Sequence, residues 1–162
     1  MSDEATSESA IGRGPDKLLA IGAYGETVAA YRYLVLAEKA PKDYQREFAA
    51  MADEEQDHKQ RLQRLVNDMY PGQDFVLTAE DKELVVTGPR LLEVRDETDF
   101  QEAMKCVLQT ERKTARFYAN HAKYMPDAHI SALFHELAEE GAEHYQRLKT
   151  LARQAGVTEF SE

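Results

Sequence analysis

The sequence contains one cysteine, Cys106, and no long apolar run. A single cysteine excludes an intrachain disulfide and a C-x-x-C metal site within this sequence. No apolar run approaches the roughly 20 residues that a membrane-spanning helix needs. The first ten residues, MSDEATSESA, lack the basic and apolar regions of a secretory signal. We therefore expect a cytoplasmic protein that is not embedded in a membrane.

Basic residues are also scarce. The chain has 20 Lys and Arg against 30 Asp and Glu, for a net charge of −10. This balance argues against nucleic acid or an anionic membrane as partner and is compatible with cations. A length of 162 residues with 43% hydrophobic and 31% charged residues predicts one globular domain with a substantial core.

Apolar residues recur with a helical period in four long segments. The third has a capping-box pattern at its start, Thr98 followed by Gln101. We expect a helical domain over residues 15–156, between an acidic N-terminal tail, 1–14, and a C-terminal tail, 157–162. The first predicted helix begins after Gly14-Pro15-Asp16 and runs to about residue 39. The others cover residues 41 to about 70, 98 to about 124, and about 126 to just before 156.

Residues 71–97 do not continue this period. Thr78 could cap a short helix there, or the segments FVLT and ELVV could form short strands. The length of this connection is the informative feature, because it can carry the chain from one end of a bundle to the other. Two tight helical hairpins joined by one long crossover predict an all-α, ferritin-like antiparallel four-helix bundle.

Two parts of the chain repeat one pattern of acid, tyrosine and histidine. In both copies the tyrosine lies 7 residues after the first acid, and the second acid lies 29 residues after the first acid. The acids and histidines fall on the apolar stripes, so we expect them to point into the core. The members are Glu26, Tyr33, Glu55 and His58 in the first copy, and Glu111, Tyr118, Glu140 and His144 in the second.

Four carboxylates in one core repel each other, and each costs several kcal/mol to bury alone. Two divalent cations would balance their charge, and two imidazoles would complete the coordination. Mixed carboxylate and imidazole ligands suit iron, manganese or zinc better than calcium or magnesium. The pattern therefore predicts two metal ions per chain. The competing interpretation is that the stripes are misphased and the acids line the surface.

The second copy has an irregular spacing. Glu55 precedes His58 by three residues, whereas Glu140 precedes His144 by four, with Gly141 between them. Either this copy has lost a ligand, or a one-residue π-bulge near Gly141 restores the geometry of Glu140 and His144. A regular helix would also keep Glu140 and His144 on one face. The matched interval of 29 favours the bulge.

The segments AYGETVAAYRY and MADEEQDHKQRL, followed by QTERKTARFY and LAEEGAEHYQRL, resemble the two halves of rubrerythrins, a branch of the ferritin-like superfamily. The resemblance implies a di-iron or iron–manganese centre that reacts with hydrogen peroxide or dioxygen. It also implies tyrosines that hydrogen-bond ligand carboxylates or shape the pocket, here Tyr33 and Tyr118. The implied metal ligands are Glu26, Glu55, His58, Glu111, Glu140 and His144.

The chain departs from full-length rubrerythrins because it has no C-x-x-C pair and hence no rubredoxin-type domain in this sequence. Reducing equivalents are then expected from a donor protein or from ferrous iron, and a homodimer is the expected assembly. Two other functions stay open. One is a non-enzymatic iron- or zinc-binding or storage protein. The other is a demethoxyubiquinone-hydroxylase-like monooxygenase, which the polarity of the chain disfavours.

Overall fold

The computed structural model describes residues 13–157. Over this range the chain is helical and contains no strand, which confirms the predicted all-α bundle. Four helices are long and one is short. They are α1 (Pro15–Lys39), α2 (Lys42–Met69), α3 (Ala79–Glu83), α4 (Glu97–Tyr124) and α5 (Ala128–Gln154). The predicted tails, residues 1–14 and 157–162, lie outside the described residues except for residues 13, 14 and 157.

Local chemistry sets where the long helices begin. Pro15 occupies the first turn of α1, where a missing N–H costs nothing. Helix α4 begins at Glu97 with Asp96 as its cap, because the Asp96 side chain accepts a hydrogen bond from the N–H of Asp99. The cap predicted at Thr98 is therefore wrong by two residues. Asp127 caps α5 in the same way.

The long helices pair as two hairpins, α1 with α2 and α4 with α5. The connection between the hairpins contains α3, and its described residues form no strand. Thr78 and Asp81 form a capping box at the start of α3. Asp81 is also buried, with Lys17 Nζ of α1 at 3.2 Å and Arg13 Nε, just before α1, at 2.9 Å. The crossover is thus a short helix fastened to α1.

The apolar core consists of two clusters separated along the bundle axis. One cluster includes Tyr33, Phe48 and Met104, and the other includes Leu19 and Phe134. On all four long helices, the buried glutamates, His58 and His144 lie between the residues of these two clusters. The bundle therefore encloses a polar layer between two apolar ones. None of the helices in the described range is long and apolar enough to cross a membrane.

Candidate metal centre

Five of the six predicted ligands meet in the polar layer, and each is at most 6% exposed. Helices α1 and α4 each contribute one glutamate, α2 contributes a glutamate and a histidine, and α5 contributes a histidine. The helical period explains this convergence, because residues on the apolar stripes face the bundle axis. The five are Glu26, Glu55, His58, Glu111 and His144.

These side chains form two groups, each able to hold a metal ion. Glu26, Glu55 and His58 offer ligand atoms within 4.8 Å of one another. Glu55, Glu111 and His144 do the same. Glu55 belongs to both groups, so one carboxylate lies between the two candidate positions. This is the arrangement that a bridging ligand of a dinuclear site requires.

The polar atoms of the layer fit a bound cation. Glu55 Oε1 and His144 Nδ1 lie 2.7 Å apart. Both are buried, and neither has a hydrogen-bond partner of acceptable geometry among the described residues. Buried polar atoms are rarely left in this condition in proteins. A metal ion that accepts lone pairs from both atoms satisfies them together.

The electrostatics of the layer point the same way. Burial and the neighbouring Glu55 raise the pKa of Glu26 to about 8. Burial works to lower the pKa of the two histidines, but their polar contacts and charge interactions with the glutamates outweigh it. The pKa of His58 rises to about 10 and that of His144 to about 11. Without a cation, protons on these groups balance the carboxylates.

Both predicted tyrosines bind ligand carboxylates. The Tyr33 hydroxyl donates to Glu111 Oε2 at 2.7 Å, and the Tyr118 hydroxyl donates to Glu26 Oε1 at 2.8 Å. Each bond joins one hairpin to the other. Burial, with the nearby carboxylates, raises the pKa of both tyrosines well above its ordinary value, so they remain donors.

The sixth predicted ligand, Glu140, is not in either group. Its side chain is 41% exposed, and its Oε2 accepts a hydrogen bond from Arg61 Nη2 at 2.7 Å. His58 Nε2 lies 3.5 Å from the same oxygen. The predicted π-bulge near Gly141 is wrong, because α5 is an uninterrupted α-helix from Ala128 to Gln154.

The register of the repeat explains why Glu140 lies outside both groups. Between α2 and α5, an offset of 86 residues relates Glu55 to Gly141 and His58 to His144. The same offset relates Glu54 to Glu140. Between α1 and α4 the offset is 85, from Glu26 to Glu111, so the second hairpin carries one extra residue. By this register the repeat counterpart of Glu55 is Gly141, one position beyond the residue that the matched interval of 29 selects.

Gly141 thus occupies the position where the repeat would place a fourth inward glutamate. It is buried, and a Cβ placed on it would lie 3.1 Å from Ala115 Cβ and 3.7 Å from Glu111 Oε1. Helices α4 and α5 therefore approach closely at this level. Of the two interpretations of the irregular spacing, the structure supports the lost ligand.

Glu54, which is not among the predicted ligands, also contacts the site. Its Oε2 is in close hydrogen-bond contact with His144 Nε2 and lies 2.6 Å from Arg147 Nη2. The signal in the sequence is the 86-residue offset, which also relates Arg61 to Arg147. Glu54, Glu140 and Arg147, with other acids, line a cleft of about 430 Å³ beside the two histidines.

Comparison with known proteins agrees with this geometry. The chain matches none of the curated proteins. It is similar to the solved structure of a hypothetical protein from Pyrococcus furiosus, with 24% identity and a TM-score of 0.77, over 91% of this chain and 94% of that one. At that identity the likeness shows the fold alone. The rubrerythrin family model matches residues 17–152, which span the four long helices and every residue of the site, and the chain therefore belongs to the rubrerythrin family.

Proposed function

We propose that this protein is a redox protein with a dinuclear carboxylate metal site, most simply of iron. The single observation that carries the proposal is the position of Glu55, which both candidate metal groups share. Membership of the rubrerythrin family supports the same assignment, since the family implies a di-iron carboxylate protein. Its activity would be the oxidation of ferrous iron, the reduction of hydrogen peroxide or dioxygen, or both.

The donor set favours iron or manganese, with zinc as a redox-inert occupant. Imidazole nitrogen together with carboxylate oxygen suits these ions, whereas calcium and magnesium prefer oxygen alone. Glu26 and His58 would hold one ion, Glu111 and His144 the other, and Glu55 both. A bound pair of iron ions would supply the two electrons that reduce one peroxide molecule to water.

The protein's own groups prepare this site. Tyr33 and Tyr118 fix the orientation of Glu111 and Glu26 through hydrogen bonds. The two apolar clusters above and below the layer exclude water along the bundle axis. The cleft beside His58 and His144 gives a small oxidant a route from solvent.

The three inward carboxylates leave one positive charge uncompensated when two divalent ions are bound. Ferritin-like di-iron sites take one glutamate from each of two helices and a Glu-x-x-His motif from each of the other two. They therefore have four carboxylates. This chain has Gly141 in place of the fourth. We propose that a site with three carboxylates and two histidines carries the activity. The electrons would come from a separate donor protein, and the protein would work as a homodimer.

Stoichiometry and oxidation under anaerobic conditions test the proposal. Ferrous iron is titrated into the protein and bound metal is counted, with two ions per chain expected. One equivalent of hydrogen peroxide should then oxidise both ions, consuming two protons and yielding two waters. Fewer than two bound ions, or ferrous iron that peroxide leaves unoxidised, would overturn the proposal. Zinc that binds tightly while iron does not would support a non-enzymatic metal-binding protein instead.

A further inference from the structure

His144 is the inner end of a chain of three side chains that reaches the surface. Its Nδ1 faces Glu55, while its Nε2 contacts Glu54 Oε2. Arg147 holds the same carboxylate with two nitrogens, Nη2 at 2.6 Å from Oε2 and Nη1 at 3.4 Å from Oε1. Glu54 belongs to α2, whereas His144 and Arg147 belong to α5, so these three side chains connect two helices.

The repeat produces a second chain of the same composition around His58. Its Nδ1 lies 3.4 Å from Glu26 and 3.5 Å from Glu55, and its Nε2 lies 3.5 Å from Glu140 Oε2. Arg61 Nη2 holds Glu140 at 2.7 Å. Here the histidine and arginine belong to α2 and the carboxylate to α5, which is the reverse of the first chain.

The chemistry of imidazole gives these contacts a consequence. A neutral imidazole carries its proton on one nitrogen and a lone pair on the other. An ionised carboxylate only accepts hydrogen bonds, so Glu54 and Glu140 favour the tautomer with the proton on Nε2. In that tautomer the lone pair of Nδ1 points at the buried glutamates, where a metal ion would bind. Such outer carboxylates orient metal-binding histidines in many proteins.

We propose that Glu54 and Glu140 are positioning residues that hold His144 and His58 for metal binding through Nδ1, with Arg147 and Arg61 fixing the two carboxylates. This inference rests on the proposed dinuclear site. It gives Glu140 a role other than the direct ligation expected from its spacing. The two histidine rings lie nearly parallel, with centroids 5.5 Å apart and an angle of 19° between the planes. This is expected if equivalent carboxylates orient the two rings.

The two chains differ in strength. Glu54 is in close hydrogen-bond contact with His144 and is held at both oxygens by Arg147. Glu140 lies farther from its histidine, and Arg61 also contacts Asp57 at 3.1 Å and Glu136 at 3.3 Å. Removing Glu54 should therefore weaken metal binding more than removing Glu140.

Cobalt(II) titration of the full chain tests the inference, with calorimetry for affinity and visible absorption for the coordination of each ion. Wild-type protein is compared with Glu54→Ala, Glu54→Gln, Glu140→Ala and Glu140→Gln. Glu143→Gln is the matched control, because Glu143 lines the same cleft on α5 and has no ion pair within residues 13–157. Circular dichroism checks that every variant is folded.

We expect Glu54→Ala to lower the affinity for one cobalt ion by about 10–100-fold and to change the absorption bands of that ion. Glu54→Gln should lose less, because an amide oxygen still accepts from Nε2. The Glu140 variants should weaken the other ion in the same order but by less, and Glu143→Gln should bind as wild type. Wild type that binds fewer than two ions contradicts the proposed function. Wild type that binds two ions while the alanine variants bind equally well contradicts only the positioning role.

A different pattern at Glu140 would also contradict that role. If Glu140 were a direct ligand, both of its variants would lose one ion completely, and to the same extent as Glu26→Gln. Long-range proton–nitrogen NMR of the zinc-loaded protein gives an independent measurement. We expect both histidines to carry the proton on Nε2 in wild type. Histidines that bind zinc through Nε2 would overturn the inference.

Discussion

Tyr33 of α1 donates a hydrogen bond of 2.7 Å to Glu111 of α4, and both side chains are buried. This contact joins the first hairpin to the second at the level of the candidate metal site. The repeat-related pair, Tyr118 and Glu26, joins them again in the opposite direction. Each copy of the repeated motif therefore supports a carboxylate of the other copy.

Replacing Tyr33 with phenylalanine should destabilise the fold. The substitution leaves Glu111 Oε2 without its phenol donor, and an unsatisfied buried acceptor costs about 1–3 kcal/mol. Urea denaturation of chelator-treated protein measures the loss. Tyr31→Phe is the control, because Tyr31 is on the same helix and 46% exposed. Equal stability of the two variants would show that the Tyr33 hydroxyl contributes nothing.

Glu55 should contribute to the binding of both metal ions, whereas Glu26 should contribute to the binding of one. Glu55 belongs to both candidate groups and Glu26 to the first only. We expect Glu55→Gln to bind neither ion tightly and Glu26→Gln to retain about one per chain, by metal analysis after dialysis. Glu139→Gln, an exposed acid on α5, should retain both. Loss of the same single ion in both ligand variants would contradict the bridging position of Glu55.

Metal binding should release protons and strengthen as pH rises. Near pH 7 the pKa values of about 8 for Glu26, about 10 for His58 and about 11 for His144 keep these groups protonated in the absence of a cation. A metal ion must displace those protons. Calorimetry in buffers of different ionisation enthalpy should therefore detect about three protons released on full loading. No proton release between pH 6 and 7 would contradict these protonation states.

The same pKa values predict how stability depends on pH. For Glu26, His58 and His144 the folded-state pKa lies above the unfolded value. Their contribution is thus complete at low pH and is lost as pH rises through the folded-state values. The pKa of Glu55 is lowered, so its contribution is lost in the opposite direction, at acid pH. Between pH 6.5 and 10 the Tm of chelator-treated protein should fall by about 5 °C or more, and metal should reduce the fall.

The sequence was sufficient to predict the four long helices, because their apolar stripes have a strong 3.6-residue period. It also identified Glu26, Glu55, His58, Glu111 and His144, which the structure brings together. It also placed Glu140 among the inward residues, whereas the structure leaves this side chain 41% exposed and bonded to Arg61. The pairing of α5 with α4, with Gly141 against Ala115, shows which residue faces inward.

The sequence did not decide whether the crossover forms a helix or strands, because tertiary contacts determine the structure of this segment. Arg32 of α1 is 1% exposed, and its guanidinium donates to the carbonyls of Thr87 and Pro89 at 2.7 and 2.6 Å. It also donates to Thr110 Oγ1 at 2.9 Å. No local pattern around residue 32 indicates that its side chain binds a segment more than fifty residues away.

Arg32→Met should therefore release the crossover. The variant removes three hydrogen bonds from a charged donor, a loss of about 3 kcal/mol or more. Urea denaturation gives the size, and hydrogen exchange should show faster opening at residues 85–92. Arg90→Met, at an exposed position in the same segment, is the control. Unchanged exchange in Arg32→Met would contradict the proposed anchoring.

Gly141 should resist substitution because of helix packing and not because of helix propensity. Alanine in place of glycine stabilises a helix interior by about 1 kcal/mol. At Gly141, however, the new Cβ would lie 3.1 Å from Ala115 Cβ, and a methyl group on a helix cannot move away without shifting the helix. We expect Gly141→Ala to destabilise the wild-type protein but to stabilise an Ala115→Gly background, by urea denaturation.

The Ala115→Gly background also tests the lost ligand. Placing glutamate at position 141 in this background should restore the fourth inward carboxylate, because Gly141 is the repeat counterpart of Glu55 and faces Glu111 Oε1. Four carboxylates balance two divalent ions, so cobalt(II) should bind more tightly than to Ala115→Gly alone. Gln at position 141 is the control, since it matches the size of glutamate without its charge. Equal affinity of the Glu and Gln variants would show that the side chain at position 141 does not reach the metal ions.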